Sequence, residues 1–145
     1  MVFGYITYDG NVFLQKINGT LTSEEYVALL STFMTALLQD DKDLLFMQDN
    51  ARPHTAKNTI KYFDDNSIKL LEWPPYSPDL NIMENVWAIL SDIIYNKPQY
   101  QSKNDLWESI KEEARNISKL TIKKLYDDFP KRIIECIRLD GNVLK

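Results

Sequence analysis

The sequence predicts an α/β fold, and three observations predict it. Runs rich in β-branched, aromatic and other apolar residues, which are typical of strands, occupy residues 2–7, 12–17 and 44–47. Longer segments, such as residues 22–38 and 82–94, repeat apolar residues at helical spacing. The four consecutive apolar residues at 44–47 are also typical of a strand buried on both faces in the middle of an α/β sheet. We therefore expect strands and helices packed around one core.

Length and composition indicate how many domains the chain forms and which classes of protein it is unlike. The chain has 145 residues, of which 44% are hydrophobic and 26% charged, and this fits one globular domain over residues 1–145. Its single cysteine, Cys136, excludes an internal disulfide and fits a reducing compartment. No apolar run approaches the roughly 20 residues that span a bilayer, and no signal peptide is evident, so no membrane association is expected. The net charge of −4 argues against a protein that mainly binds DNA phosphates, but not against a metal-dependent enzyme.

The first forty residues predict a hairpin followed by a helix. Asp9 and Gly10 lie between the first two strand segments, and Asp-Gly is a strong hairpin signal because both turn positions favour positive φ. Thr22 and Glu25 have the spacing of a capping box, which marks the start of a helix. The predicted core face of that helix consists of Tyr26, Leu29, Leu30, Phe33, Met34, Leu37 and Leu38.

A short helix and another strand are expected after the strand at residues 44–47. The helix should cover residues 55–66 and bury three apolar side chains, those of Ala56, Ile60 and Phe63. The strand should cover residues 68–71, which are mostly apolar.

The rest of the chain predicts an irregular loop followed by helices. Residues 73–78 contain three prolines, which lack backbone donors and restrict the residues before them, so this segment is expected to be a loop. A long helix with an apolar face should follow at residues 82–94, and Ser102 has the character of the next helix start. The last helical segment, residues 121–139, is expected to be interrupted at Pro130.

Two carboxylates occupy unusual positions. Asp49 directly follows the predicted buried strand, where open α/β sheets place their ligands, although Asp49 or Asn50 could equally cap the following helix. Glu84 lies three residues after Asn81, so it could be the acceptor of a capping box or could project from the first helical turn toward the sheet. If both carboxylates lie near one strand end, their hard oxygen atoms would suit Mg²⁺. Together with a third carboxylate, such a site could hold two ions and support phosphoryl transfer.

The segments around these carboxylates resemble the catalytic domain of mariner-superfamily DDE transposases. The spacing also fits, because 34 residues lie between Asp49 and Glu84, as in one large branch of that superfamily. The hairpin at the start of the chain and the segment from Pro130 to Gly141 resemble family features as well, so the resemblance covers nearly the whole chain. The matching motifs are DNARPH at residues 49–54, WPPYSPDLN at residues 73–81 and ENVW at residues 84–87.

The resemblance implies a fold, an activity and a pair of catalytic residues. The implied fold is ribonuclease-H-like, with a mixed sheet and flanking helices, and the implied activity is DNA cleavage and strand transfer with Mg²⁺ or Mn²⁺. Asp49 matches the second catalytic carboxylate of the family and Glu84 the third, and both are expected to bind metal. DNA, in the form of transposon ends and target, is the expected partner, with a homo-oligomer or another transposase subunit as a further one. In a eukaryotic host, the expected location is the nucleus.

The resemblance also predicts a gap. In the family, the first catalytic Asp lies on the first, central strand of the sheet, upstream of the segment that resembles residues 1–10. Asp9 is not expected to replace it, because Asp9 lies in the hairpin turn. We therefore expect a truncated catalytic domain that lacks this strand and is inactive alone. The alternatives are a non-catalytic remnant that binds DNA or transposase subunits, and another ribonuclease-H-like nuclease.

Further candidate residues carry positive charge or an imidazole. Arg52 could contact a phosphate or could simply be a solvated or salt-bridged side chain. His54, the only histidine, could brace its turn or take part in chemistry. A basic face toward DNA is possible in the last segment, although a solvated helix face is the favoured interpretation given the acidic total charge. Its members would be Lys119, Lys123, Lys124, Lys131 and Arg132.

Overall fold

The structure, a computed structural model, describes residues 1–141 and forms two compact units. The first unit contains Met1–Ile17 together with residues 78–141, and the second contains Asn18–Ser77. The described elements, in chain order, are β1 (Val2–Ile6), β2 (Val12–Lys16), α1 (Ser23–Asp40), β3 (Leu45–Phe46), α2 (Lys57–Asp65), β4 (Lys69–Leu70), α3 (Ile82–Tyr95), α4 (Lys103–Asn116) and α5 (Lys119–Arg138).

The first unit begins with the predicted hairpin. β1 and β2 pair antiparallel, with Gly4 opposite Leu14, and the Thr7 amide closes the loop by donating to the Asn11 carbonyl at 3.1 Å. The expectation that both turn positions have positive φ was wrong, because only Gly10 does, at +91°. The loop has five residues, and its turn is closed by the Gly10 amide, which donates to the Thr7 carbonyl at 2.9 Å. A longer turn that ends in one left-handed glycine joins the strands without a strained Asp9.

Helices α3, α4 and α5 supply most of the core of the first unit. Partly buried side chains of β1 and β2, among them Ile6, Val12 and Leu14, pack against this core. The expected interruption of α5 was wrong, because the helix runs through Pro130. Pro130 removes one internal hydrogen bond and crowds the carbonyl four residues before it, and α5 continues on both sides of it despite this cost. The buried residues that pack together in one cluster of this core are Met83, Val86, Leu90, Ala114 and Ile122.

The second unit confirms the predicted start of α1. The Thr22 side chain accepts from the Glu25 amide, while the Glu25 carboxylate accepts from the Thr22 amide at 2.9 Å, which is the predicted capping box. The predicted apolar face is buried at four of its positions, namely Tyr26, Leu30, Phe33 and Met34.

β3 differs from its prediction. It has two residues rather than four and pairs in parallel with β4, and Leu45 is 56% exposed. The expectation of a strand buried on both faces was therefore wrong. Burial of a strand depends on the elements that cover its two faces, and β3 pairs with β4 alone among residues 1–141.

Helix α2 buries only part of the set of residues expected, and Ala56, which precedes the helix, is partly exposed. Phe63 is buried as predicted, but Ile60 is 38% exposed and Thr59 takes the buried position. The Thr59 hydroxyl donates to the Pro53 carbonyl at 2.7 Å, so this buried polar group is satisfied. In the part of the chain that the structure describes, no helix has the length and apolar character required to cross a bilayer.

Candidate active site

Asp49 lies in a tight turn that follows β3. Its Oδ1 atom accepts two hydrogen bonds, one from the Ala51 amide at 2.9 Å and one from Nδ1 of His54 at 2.6 Å. The Asp49 side chain is half exposed. Asp49 does not cap α2, because that helix begins after Ala56 and has no side-chain cap. The turn therefore presents a carboxylate that is anchored through one oxygen and open to solvent.

A network of buried and half-buried groups holds His54 in place. The Tyr26 hydroxyl donates to Oε1 of Gln48 at 2.8 Å, and the Gln48 amide donates to the His54 carbonyl at 3.1 Å. The rings of Tyr26 and His54 have centroids 4.3 Å apart. Burial, and secondly the negative charge of Asp49, raise the pKa of Tyr26 well above its usual range. Tyr26 was predicted only as a core residue of α1, so its contact with His54 was missed.

Asn50 joins the turn that carries Asp49 to the proline-rich loop at residues 73–78 by a hydrogen bond. Its side-chain amide donates to the Trp73 carbonyl at 2.9 Å. The contact joins the first and second motifs of the sequence within the second unit. It gives Asn50 a structural role other than the alternative in which it caps α2, a helix that has no side-chain cap.

Glu84 occupies the first turn of α3, in the first unit. Asn81 caps this helix by accepting from the Met83 amide at 3.0 Å. The alternative in which Glu84 completes a capping box is not realised: across residues 1–141, the Glu84 carboxylate has no hydrogen bond or ion pair. It is exposed, so this carboxylate is available to a ligand.

Arg132, a candidate member of the basic face in the last segment, has partners inside the first unit. Its Nη1 atom donates to Oδ1 of Asn85 at 2.6 Å, and its Nη2 atom donates to the Asp79 carbonyl. Asp79 lies just before α3, and Asn85 lies in its first turns, directly after Glu84. The guanidinium therefore fixes the turn that carries Glu84, a role that sequence reasoning missed.

The other predicted basic residues have varied surroundings. Lys131 is paired with Asp128 at 2.6 Å, and the Lys123 ammonium lies 5.5 Å from the centre of the Tyr8 ring. Lys124 and Arg52 are exposed. Contact of these residues with DNA stays a prediction.

The chemistry of the donor atoms suits a hard divalent cation. Asp49 and Glu84 offer carboxylate oxygens, the ligands that Mg²⁺ and Mn²⁺ prefer, and both side chains reach solvent. Within residues 1–141, no group of three or more His, Cys, Asp or Glu side chains is placed to hold a metal ion. A metal bound jointly by Asp49 and Glu84 stays a prediction.

Comparison with known proteins identifies relatives of the whole segment. A family model described as DDE superfamily endonuclease matches residues 1–120. The Tc3 transposase of Caenorhabditis elegans is 34% identical over an alignment of 145 positions, which covers 98% of this chain and 44% of that protein. The Tc1 transposase of the same organism is 27% identical over 100% of this chain and 54% of its own length. The chain thus spans about half the length of the curated relatives it matches.

Solved structures confirm the fold. The catalytic domain of Mos1 transposase, solved with Raltegravir and Mn, has a TM-score of 0.86 at 19% identity, over 99% of this chain and 76% of that one. The Mos1 mariner paired end complex with Mn has a TM-score of 0.85 over 99% of this chain and 44% of that one. The prediction of a ribonuclease-H-like α/β fold is therefore confirmed.

Proposed function

The chain belongs to the DDE superfamily of endonucleases as a mariner-type transposase domain, and we propose that it supplies two metal-binding carboxylates for DNA cleavage and strand transfer. The observation that carries this proposal is the state of the two carboxylates. Asp49 is anchored through one oxygen in the turn after β3, and the exposed Glu84 carboxylate is left without a partner among residues 1–141. Asp49 is held through one oxygen, and both side chains reach solvent, so this chain offers carboxylate oxygens that a metal ion can bind.

The proposed cofactor is Mg²⁺ or Mn²⁺. Mos1 transposase has been solved with each of these metals, which supports divalent metal use in the family. When bound, such ions stabilise the charge that develops on the scissile phosphate and activate water. Two carboxylates from this chain would account for part of the ligand set, and by resemblance to the family we propose that a further Asp, the first catalytic carboxylate, completes it.

The chain's own residues hold the reacting groups in place. Asp49 and Glu84 would bind the metal ions. His54 restricts the movement of the turn that carries Asp49, and Arg132 restricts the first turn of α3, which carries Glu84. In the proposed first step, water forms a bond to phosphorus and a DNA 3′-oxygen leaves and takes up a proton. In the second, that 3′-hydroxyl attacks a target phosphodiester, so one phosphodiester bond forms as another breaks. The reaction needs neither an oxidant nor an activated side-chain nucleophile.

The proposed partners and location follow from the relatives. Mos1 transposase has been solved as a paired-end complex, in one case with the left transposon end. This supports transposon-end DNA as the proposed partner of a protein that contains this chain. A second transposase subunit is the further proposed partner. In a eukaryotic host, such a protein would act in the nucleus.

The test is a plasmid-nicking assay on a chimera that joins this chain to an Asp-bearing strand from a relative. The strand that precedes the matched segment in the Tc3 transposase would be fused ahead of Met1 to supply the first carboxylate. This chimera should nick supercoiled DNA with Mn²⁺, and Asp49→Asn or Glu84→Gln should abolish nicking. The matched controls Asp64→Asn and Glu112→Gln alter exposed carboxylates elsewhere and should retain it. Undiminished nicking by both Asp49→Asn and Glu84→Gln would exclude the proposed function.

A further inference from the structure

We infer that His54 is a positioning residue that holds Oδ1 of Asp49 and leaves Oδ2 as the oxygen available to a divalent cation. The inference deepens the proposed function and rests on it, because it concerns how one of the two proposed ligands is presented. Nothing in the motif spacing distinguishes the two oxygens of Asp49, so this assignment depends on the geometry of the turn.

The two carboxylate oxygens have different surroundings. Oδ1 accepts from the Ala51 amide at 2.9 Å and from Nδ1 of His54 at 2.6 Å. Oδ2 has no hydrogen-bond donor among the described residues, and the side chain is half exposed. A metal ion binds an oxygen whose lone pairs are accessible from solvent. A carboxylate that accepts hydrogen bonds through one oxygen can still bind a metal through the other. The turn therefore favours binding through a single oxygen.

His54 is held firmly enough to act in this way. Its side chain is only 16% exposed and lies against the buried ring of Tyr26. Its backbone is fixed at both polar groups, since the amide donates to the Ala51 carbonyl at 2.9 Å and the carbonyl accepts from Gln48. Partners that hold a ligand from behind restrict its rotation and increase metal affinity, and their loss typically costs about 10–100-fold in affinity.

Two alternatives make different predictions. If His54 only stabilises the turn, its substitution should reduce stability without a specific effect on metal affinity. If His54 binds metal directly through Nε2, then a shorter side chain without that atom should not replace it. An asparagine at this position carries its amide nitrogen near the place of Nδ1, so it can donate to Oδ1 but cannot substitute for Nε2. A glutamine places its amide nitrogen one bond farther out.

The experiment is a titration of residues 1–145 with Mn²⁺, with free Mn²⁺ followed by electron paramagnetic resonance. His54→Ala should weaken Mn²⁺ binding about tenfold. His54→Asn should restore most of the affinity, and His54→Gln should not. Thermal unfolding of each variant shows whether the fold is retained. If His54→Ala does not fold, the comparison of His54→Asn with His54→Gln still tests the inference.

The outcomes separate the inference from the proposed function. Equal affinity of His54→Ala and the wild type, or of His54→Asn and His54→Gln, would overturn the positioning role. If His54→Gln binds Mn²⁺ more tightly than a folded His54→Asn, direct ligation from the position of Nε2 is indicated and the inference also fails. Asp49→Asn serves as the reference for the site itself. Unchanged binding in that variant would remove Asp49 from the proposed metal site, regardless of His54.

Discussion

The guanidinium of Arg132 donates to Oδ1 of Asn85 at 2.6 Å and thereby joins α5 to the first turn of α3. The same side chain donates to the Asp79 carbonyl ahead of that helix. Glu84 directly precedes Asn85, so Arg132, a candidate DNA contact, supports the turn that carries a candidate metal ligand. Packing of α5 against α3 in the first unit therefore helps to position Glu84, a proposed metal ligand.

Loss of the Arg132 contacts should destabilise the protein. Arg132→Ala removes hydrogen bonds from a charged donor to partly buried acceptors, and we expect the free energy of unfolding to fall by about 2 kcal/mol. Chemical denaturation followed by circular dichroism measures this change. Lys124→Ala, an exposed cation on the same helix, is the control and should change the free energy by less than about 0.5 kcal/mol. Equal effects of the two substitutions would contradict the structural role of Arg132.

The close approach of β1 to α3 depends on Gly4. A Cβ atom at this position would lie 2.6 Å from Cε of Met83, 2.8 Å from Cδ2 of Leu14 and 2.9 Å from Cη2 of Trp87. Gly4→Ala should therefore destabilise the protein by about 1–3 kcal/mol through overpacking. The denaturation midpoint and the near-ultraviolet circular dichroism of the tryptophans should both change. A variant as stable as the wild type would show that this packing is looser than described.

Tyr126 predicts a loss of stability at high pH. Its hydroxyl donates to the Ile6 carbonyl at 3.0 Å, and burial, followed by the charge of Asp9, raises the pKa of Tyr126 to about 12. The unfolded chain releases this proton near pH 10, so the stabilising contribution is complete below pH 10 and is lost as the pH rises toward 12. Tyr126→Phe should be less stable than the wild type at pH 8 by about 1 kcal/mol.

The pH dependence of the difference is the decisive measurement for Tyr126. Denaturation midpoints of the wild type and Tyr126→Phe, compared between pH 8 and pH 12, should converge as the pH rises. Other titrating groups affect both proteins alike, so the comparison isolates this hydroxyl. A constant difference across that interval would show that the tyrosine is not held in its protonated form by the fold.

Residues 1–145 should bind DNA weakly and without sequence preference. The net charge is −4, and two of the predicted basic contacts, Lys131 and Arg132, have partners within the chain. A mobility-shift assay at physiological salt, with transposon-end DNA and a scrambled duplex of equal length, should show little retention of either. Tight retention of one sequence would contradict this expectation and favour the alternative of a DNA-binding module.

Local patterns made much of the fold predictable. The hairpin and the capping box of Thr22 and Glu25 involve residues close in sequence, and the structure confirms both. The extent and burial of β3 were not predictable in the same way, because they depend on which distant elements cover the strand. The exposed face of α2 was misjudged at Ile60, since a hydrogen-bonded Thr59 can occupy a buried position that hydrophobicity alone would not assign to it.

In the candidate site, too, the features encoded by nearby residues were predictable and those that depend on distant residues were not. Asp49 and Glu84 could be named from motifs that are continuous in sequence, and their spacing identified the family. The partners that hold them could not, because Tyr26 precedes His54 by 28 residues and Arg132 follows Asn85 by 47. Those contacts come from packing of separate helices and turns, and no short-range signal in the sequence encodes them.

The central claim, that Asp49 and Glu84 bind one divalent ion together, is tested most directly by Mn²⁺ titration calorimetry. The wild type, Asp49→Asn, Glu84→Gln and the double variant would be compared, with Asp64→Asn as the control. We expect weak binding by the wild type, a loss of about tenfold or more in each single variant, and no large further loss in the double variant, because either substitution breaks the same site. Wild-type affinity in either Asp49→Asn or Glu84→Gln would contradict the shared site.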